Sequence, residues 1–315
     1  MTYMRIDVHA HYWTDQYLDR VAALGKTDTA TQRGIGAGDG AELDARLRLM
    51  DRAGIDVQVL SAAPQLPYGL DTERAVAAAR YVNDEYAAVV TAHPDRFRAF
   101  AALPMPDVDA AIAEIGRATD ELGMVGVTMN TSVLDRAITD PDFEPIFAEL
   151  DARGAVLYLH PAGNGACSPL VTEHHITWMA GAPFEDTIAA LQLITSGHLQ
   201  RYPGVKIICS HLGGALPMLT RRADDHLAWE APDTPEPPSQ AVHRLWFDTV
   251  SHCHEPALRC AIDTFGADRI MLGTDFPYED GATFVRAVEY VMEVADPGEA
   301  HAILDANAMA LFHLA

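Results

Sequence analysis

Eight short apolar runs, each followed by an amphipathic stretch long enough for a helix, recur along the chain and restrict the folds open to it. The runs occupy residues 4–10 (MRIDVHA), 56–62 (DVQVLSA), 96–103 (RFRAFAAL), 124–130 (MVGVTMN), 155–160 (AVLYLH), 206–211 (KIICSH), 245–251 (LWFDTVS) and 270–275 (IMLGTD). Most are nearly continuous in apolar residues, the pattern of parallel strands covered on both faces. The stretches between them, at 41–53, 71–92, 107–122, 141–153, 183–200, 213–226, 255–265 and 281–294, are rich in Ala, Leu, Glu and Arg. Pro141, Pro183 and Pro256 stand where such helices begin. Eight strand–helix units over 315 residues predict an α/β fold of the (β/α)8 TIM-barrel type, as one domain over 1–315. A doubly wound open sheet is the structural competitor. No internal repeat and no shift in composition marks a second domain.

Two connections exceed the usual length of a strand–helix loop. Residues 25–40 (GKTDTATQRGIGAGDG) follow the first run and residues 161–182 follow the fifth, so both are expected as lids over the C-terminal face. Gly34, Gly36, Gly38 and Gly40 imitate a phosphate-binding loop but lie well beyond their strand, which favours a flexible lid. Residues 229–240 are proline-rich and read as a surface excursion, and Gly213 and Gly214 read as a tight turn. The formal charge of −23, from 22 basic and 45 acidic residues, disfavours nucleic acid and anionic membranes as partners. No apolar run approaches the ~20 residues that span a bilayer, and the N-terminus lacks the architecture of a signal peptide. Four scattered cysteines, Cys167, Cys209, Cys253 and Cys260, form no disulfide framework. A reduced, cytoplasmic protein is the expectation.

The local signal richest in chemistry is His9-Ala10-His11 at the end of the first run. Residues i and i+2 of a strand share a face, so both imidazoles project together, with Asp7 one step deeper. His160, His211 and Asp275 end the fifth, sixth and eighth runs. Singly, each is as well explained by a hydrogen-bonded histidine or a helix-capping aspartate. A barrel gathers these strand ends around one mouth, and five ligand-type residues there point to a divalent metal. Histidines such as His93, His198, His226 and His313 fall on helices or loops and read as solvated or packed. No Gly-x-Ser-x-Gly elbow and no His-Glu-x-x-His helix is present.

The segments IDVHAH, LYLHP, CSHLGG and LGTDFP, with RLRLMDRAGIDVQVLS at 46–61, LGMVGV at the fourth run and NAMALF at 307–312, resemble the amidohydrolase superfamily over nearly the whole chain. The resemblance is to its decarboxylase-like branch, which includes α-amino-β-carboxymuconate-ε-semialdehyde and γ-resorcylate decarboxylases. It implies that His9, His11, His160 and Asp275 hold one divalent metal, Zn²⁺ with Mn²⁺ as the alternative, and that no organic cofactor is needed. It makes His211 the catalytic histidine beside water on the metal, and lets Asp275 also shuttle a proton. It places Arg46 and Arg222 on the substrate carboxylate, Arg222 reaching from the other subunit of a homodimer, and Trp178 in the pocket wall. For both arginines a structural role stays open.

Binuclear members of the superfamily bridge two metals with a carboxylated lysine at the end of the fourth strand. Here Asn130 stands there, and the only lysines are Lys26, in a loop, and Lys206, at the start of the sixth run. One metal and no lysine Schiff base are therefore expected. The implied reaction is decarboxylation of a small aromatic or muconate-type carboxylic acid. Hydrolysis of a lactone or amide on the same site is the alternative. A non-catalytic metal-binding or scaffolding protein is a third reading, which the five rim residues disfavour.

Overall fold

The computed structural model describes residues 4–36 and 40–314. In it the eight apolar runs become eight parallel strands laid side by side in chain order. They are β1 (Ile6–His11), β2 (Val57–Ser61), β3 (Phe97–Ala102), β4 (Gly126–Asn130), β5 (Val156–His160), β6 (Lys206–Cys209), β7 (Trp246–Asp248) and β8 (Ile270–Met271). The first strand also pairs with the chain that leaves the last. Val8 N–H donates to the Leu272 carbonyl at 2.9 Å, Asp275 N–H to His9 at 2.9 Å, and His11 N–H to Phe276 at 2.7 Å. The sheet thus closes into a (β/α)8 barrel.

Seven helices return the chain from strand to strand and an eighth follows the last strand: α1 (Gly40–Ala53), α2 (Thr72–Ala92), α3 (Val108–Asp120), α4 (Glu144–Arg153), α5 (Ala182–Thr195), α6 (Leu216–Glu230), α7 (Glu255–Phe265) and α8 (Gly281–Val294). Their ends follow local chemistry. Asp71 and Asp107 cap α2 and α3 by accepting from the N–H groups of Arg74 and Ala110, and Gly154 ends α4 in a left-handed conformation. In α7 the buried residues Leu258, Ala261, Ile262 and Phe265 form one stripe against the barrel. The run at 183–200 breaks at Gly197, whose φ is +75°. The helix expected from 213 begins only at Leu216, after a turn with positive φ from His211 to Gly214.

Two apolar layers result. One lies between strands and helices. The other fills the barrel's interior with Ile6, Val8, Val57, Val59, Phe100, Tyr158, Ile208 and Met271, with the Phe100 and Tyr158 rings stacked at 5.1 Å. The C-terminal helix Asn307–Leu311 closes this layer from the N-terminal end of the strands, where Met309 and Phe312 join it. The lower barrel is therefore solid, and room for a ligand remains at the upper mouth.

The two long connections carry short helical turns. Thr29–Gln32 lies in the first, and Gly165–Cys167, Pro169–Thr172 and Thr177–Gly181 lie in the second. Gly38 lies outside the described residues. Among the described residues no helix is long and apolar enough to cross a membrane.

Candidate metal centre

An irregularity in β1 sets up the site. Asp7 pairs with Gln58 but Ala10 pairs with Leu60, so β1 carries one residue more than β2 between those points. Such a bulge breaks the alternation of faces. Val8 packs in the barrel interior with Val57 and Val59, and His9 and His11 face the mouth. Asp7 turns to the other face, contrary to the expectation that it sits one step deeper on the face of His9. There its carboxylate accepts from Gln58 Nε2 at 2.7 Å and Thr274 Oγ1 at 2.6 Å. Burial pushes the Asp7 carboxyl up to about 6 despite these bonds.

The ladders of β6 and β8 end earlier than their apolar runs. His211 and Asp275 therefore lie past the strands, not at their last positions, on left-handed backbone with φ of +51° and +63°. Positive φ at non-glycine residues is strained, and both residues border the mouth.

His9, His11, His160 and Asp275 each offer one ligand atom, all within 4.8 Å of one another, and all four residues are buried. The His9 Nδ1 lies 2.8 Å from Asp248 Oδ2, while its Nε2 is buried, makes no hydrogen bond, and lies 3.2 Å from Asp275 Oδ1. The His11 Nε2 lies 3.1 Å from the same oxygen. The His160 Nδ1 is bonded to the Pro161 carbonyl at 3.0 Å, which leaves Nε2 for the centre.

Burial pulls His11 down to about 4, and burial with the neighbouring imidazoles holds His160 well below the ordinary histidine value. Both are neutral, the ligating form. Burial opposes ionisation of Asp275, but His9 and His11 outweigh it and hold the carboxyl well below the usual range. Burial likewise lowers His9, but the charges of Asp248 and Asp275 overcome it and raise it to about 10. Two carboxylates thus make the pocket call for positive charge, and a divalent cation answers the same field. Three nitrogens, among them the orphaned His9 Nε2, and one carboxylate oxygen fit such an ion.

His211 stands beside this set, its ring 5.0 Å from that of His9 and 5.4 Å from that of His160. Its Nδ1 lies 2.9 Å from Asp186 Oδ2, and its backbone N–H donates to Asp248 Oδ1 at 2.9 Å. Burial lowers the His211 pKa, but Asp186 more than compensates and raises it. Gly214 makes the approach of this turn to α5 possible: with φ at +65°, a Cβ there would stand 1.9 Å from the Pro183 carbonyl. Tight turning is thus what this glycine provides.

His160, His211 and Asp275 open into a cavity of about 750 Å³. Trp178 lines it, half exposed and packed so closely on Gly163 that a Cβ there would meet the ring at 2.6 Å. Gln32, from the first long connection, also reaches the wall. Arg46 does not. It lies behind β1, 1% exposed, with Nε donating to Glu42 at 2.9 Å, Nη1 to Gln58 Oε1 at 2.8 Å and Nη2 to the His11 carbonyl at 2.9 Å. Its fork is engaged within the chain and does not border the cavity, which supports the structural role left open for it. Arg222 is exposed on α6 and is absent from the cavity wall of this chain. Lys206 lies by Trp246 at the opposite end of the barrel, and Asn130 bonds the Pro64 carbonyl.

Two participants escaped the sequence reading. Asp248 ties His9, Tyr158 and the His211 backbone together, and Asp186 orients the His211 ring. Asp248 interrupts the apolar run LWFDTVS, a signal of the kind that marked the other strand-end residues. Asp186 sits within a helix and carried none.

Residues 6–314 match the amidohydrolase family (Amidohydro_2). The chain belongs to this family. The amidohydrolase is 31% identical over 244 residues to the 2-amino-3-carboxymuconate-6-semialdehyde decarboxylase of Dictyostelium discoideum, spanning 76% of this chain and 67% of the relative. It is 32% identical over 260 residues to the gamma-resorcylate decarboxylase of Rhodococcus jostii (strain RHA1), spanning 75% and 78%. A crystal structure of dihydroxybenzoic acid decarboxylase from Polaromonas sp. JS666, with bound manganese and the inhibitor 2-nitroresorcinol, superposes with a TM-score of 0.85 at 30% identity, covering 99% of this chain and 98% of the other. All three relatives are decarboxylases, so the amidohydrolase falls in the branch its motifs resemble, and the lactone or amide hydrolase alternative gains no support.

Proposed function

We propose that this amidohydrolase is a metal-dependent carboxy-lyase that releases CO₂ from a small aromatic or muconate-type carboxylic acid without an organic cofactor. The observation that carries the reading is the convergence of His9, His11, His160 and Asp275 on one buried point at the cavity mouth, in a chain whose relatives are decarboxylases. These four residues would hold the ion. Their nitrogen-rich set favours Zn²⁺, and manganese in the Polaromonas relative supports Mn²⁺ as the alternative. The bound metal would supply Lewis acidity toward the oxygens of substrate and water.

The chain's own residues manage the proton. Asp186 takes the Nδ1–H of His211, which leaves Nε2 with its lone pair to accept a proton and return it. Asp275 presents Oδ1 to His9 and His11 and also borders the cavity, a position suited to relaying a proton toward substrate. Protonation at the carbon bearing the carboxylate lets the carbon–carbon bond break. Its electron pair stays with the ring or chain as CO₂ departs. Trp178 offers a flat wall to the substrate. Segments 25–40 and 161–182 serve as lids over one barrel domain.

A homodimer is the assembly we favour, since Leu170, Met179, Met218 and Trp229 are large apolar side chains left exposed. Four free cysteines suit a reduced, cytoplasmic setting.

Metal analysis of the purified protein, with a screen of carboxylic acids for CO₂ release, tests the reading. His9→Ala and Asp275→Ala should lose metal, whereas His211→Ala should keep it and lose turnover. Oxygen-18 from water entering product without CO₂ release would overturn the decarboxylase reading.

A further inference from the structure

The connection from β5 to α5 leaves the strand at Pro161 and enters the helix at Ala182, and one side chain ties its two ends together. Glu185, in the first turn of α5, is 3% exposed. Its Oε2 accepts from the N–H groups of Ala162 at 2.6 Å and Gly163 at 3.2 Å, and from Thr131 Oγ1 at 3.0 Å. Its Oε1 accepts from the N–H groups of Gly165 at 2.8 Å and Ala166 at 3.4 Å. Positive φ at Gly163, Gly165 and Ala166 curls this stretch so that its N–H groups face inward. Concave turns of this kind receive anions, and here the anion belongs to the chain itself.

The turn reaches the site in two directions. The Pro161 carbonyl, one residue ahead of it, holds His160 Nδ1 at 3.0 Å and so leaves Nε2 for the centre. Gly163, within it, is the floor on which the Trp178 ring lies, too close to admit a Cβ. Thr131 ties the same turn to β5: its N–H donates to the His160 carbonyl at 2.8 Å, and its hydroxyl accepts from Ala162 N–H at 3.1 Å. The next residue of α5, Asp186, orients His211. Adjacent buried acids on one helix thus face a ligand and the wall on one side and the proton-handling histidine on the other.

We infer that Glu185 is a positioning residue: by holding the turn at 162–166 it sets both the orientation of the His160 ligand and the seat of Trp178 in the cavity wall. The inference rests on the reading of His160 as a metal ligand. A group that fixes the partner of a ligating histidine acts on metal affinity without touching the ion.

The test compares Glu185→Gln with Glu114→Gln in the full chain. Glu185→Gln keeps the shape of the side chain but turns an amide NH₂ toward N–H groups. Glu114 is buried to the same degree on α3 and accepts from Asn83 and Arg117, outside the turn. Competition with a chelator gives the affinity for Zn²⁺ and for Mn²⁺, and hydrogen exchange reports on the amides of 162–166. The emission of Trp178 is isolated by difference from Trp178→Phe in each background. Glu185→Gln should weaken metal binding at least ~5-fold, speed exchange in the turn at least ~10-fold and shift the Trp178 emission to the red. Glu114→Gln should lower the urea midpoint and leave all three readouts as in wild type. Thr131→Val removes a single donor to the same carboxylate; if Glu185→Gln does not fold, it decides the matter by a loss of affinity of at least ~3-fold, or by the lack of one. Faster exchange with a smaller loss of affinity than expected would make Glu185 a fastener of the lid alone and overturn the inference, as would unchanged exchange. An equal loss of affinity in Glu114→Gln would trace the effect to general destabilisation and overturn it too. Wild-type protein that takes up neither ion would defeat the metal reading and the inference together, whereas an ion held equally well by wild type and Glu185→Gln would defeat the inference alone.

Discussion

Arg46 offers the sharpest quantitative test, because resemblance and geometry assign it different work. Arg46→Met keeps an unbranched apolar stem but removes the guanidinium. It strands the Gln58 amide oxygen and the His11 carbonyl, both buried, and removes the charge opposite Glu42. It also ends the stacking on Phe276, whose ring centre lies 4.4 Å away. Breaking a buried ion pair from one side costs about 3–5 kcal/mol. The Glu42 side chain is 16% exposed and can turn partly to water, which places the expected loss toward the lower end of that range, about 3–4 kcal/mol. With an unfolding entropy of roughly 2.1 cal/mol/K per residue, a chain of 315 residues has about 0.7 kcal/mol/K, so Tm should fall by about 5–6 °C. Scanning calorimetry measures this, urea titration gives the free energy, and steady-state kinetics supplies KM. A KM within about threefold of wild type should accompany the loss of stability, since the guanidinium does not border the cavity. An unchanged Tm with a tenfold rise in KM would refute the reasoning and return Arg46 to the substrate.

The other predictions concern the supports of the centre. Asp248→Asn removes the charge beside His9 Nδ1 and should weaken metal binding by ~10–100-fold, measured by competition with a chelator; a change below threefold would show that His9 is oriented by something else. Gly214→Ala should destabilise far more than Gly123→Ala. Both have positive φ, but a Cβ at 214 strikes the Pro183 carbonyl whereas nothing lies within 4 Å of one at 123. Urea midpoints that shift equally would mean that backbone strain, not contact, decides.

The barrel was legible because parallel strands covered on both sides write nearly unbroken apolar runs, and all eight were found within a few residues. What hydropathy cannot report is where hydrogen bonding stops. The runs at 206–211 and 270–275 continue past ladders that end at Cys209 and Met271. Side also escaped where the pairing slipped: a rule of alternation puts Asp7 with His9, and one extra residue in β1 separates them. His9, His11, His160 and Asp275 could be read because each interrupts or ends an apolar stretch. Asp186 could not, since an acid on an amphipathic helix ordinarily marks its wet face. Arg46 came to notice through resemblance alone, and its burial was not legible. Four residues after Glu42 on a helix, it has the look of a surface pair, and only the packing of Phe276 and Tyr12 around it shows an interior residue.

The ligands also straddle a boundary. His9 and His11 stand on the first strand and Asp275 on the chain leaving the last, and the contact between His11 and Asp275 joins positions 264 residues apart. Among the barrel's neighbouring strands, this is the pair that must travel furthest along the polypeptide to meet. An ion gripped from both sides would act as a clasp on that hoop, so that loading the centre and fastening the cylinder become a single event.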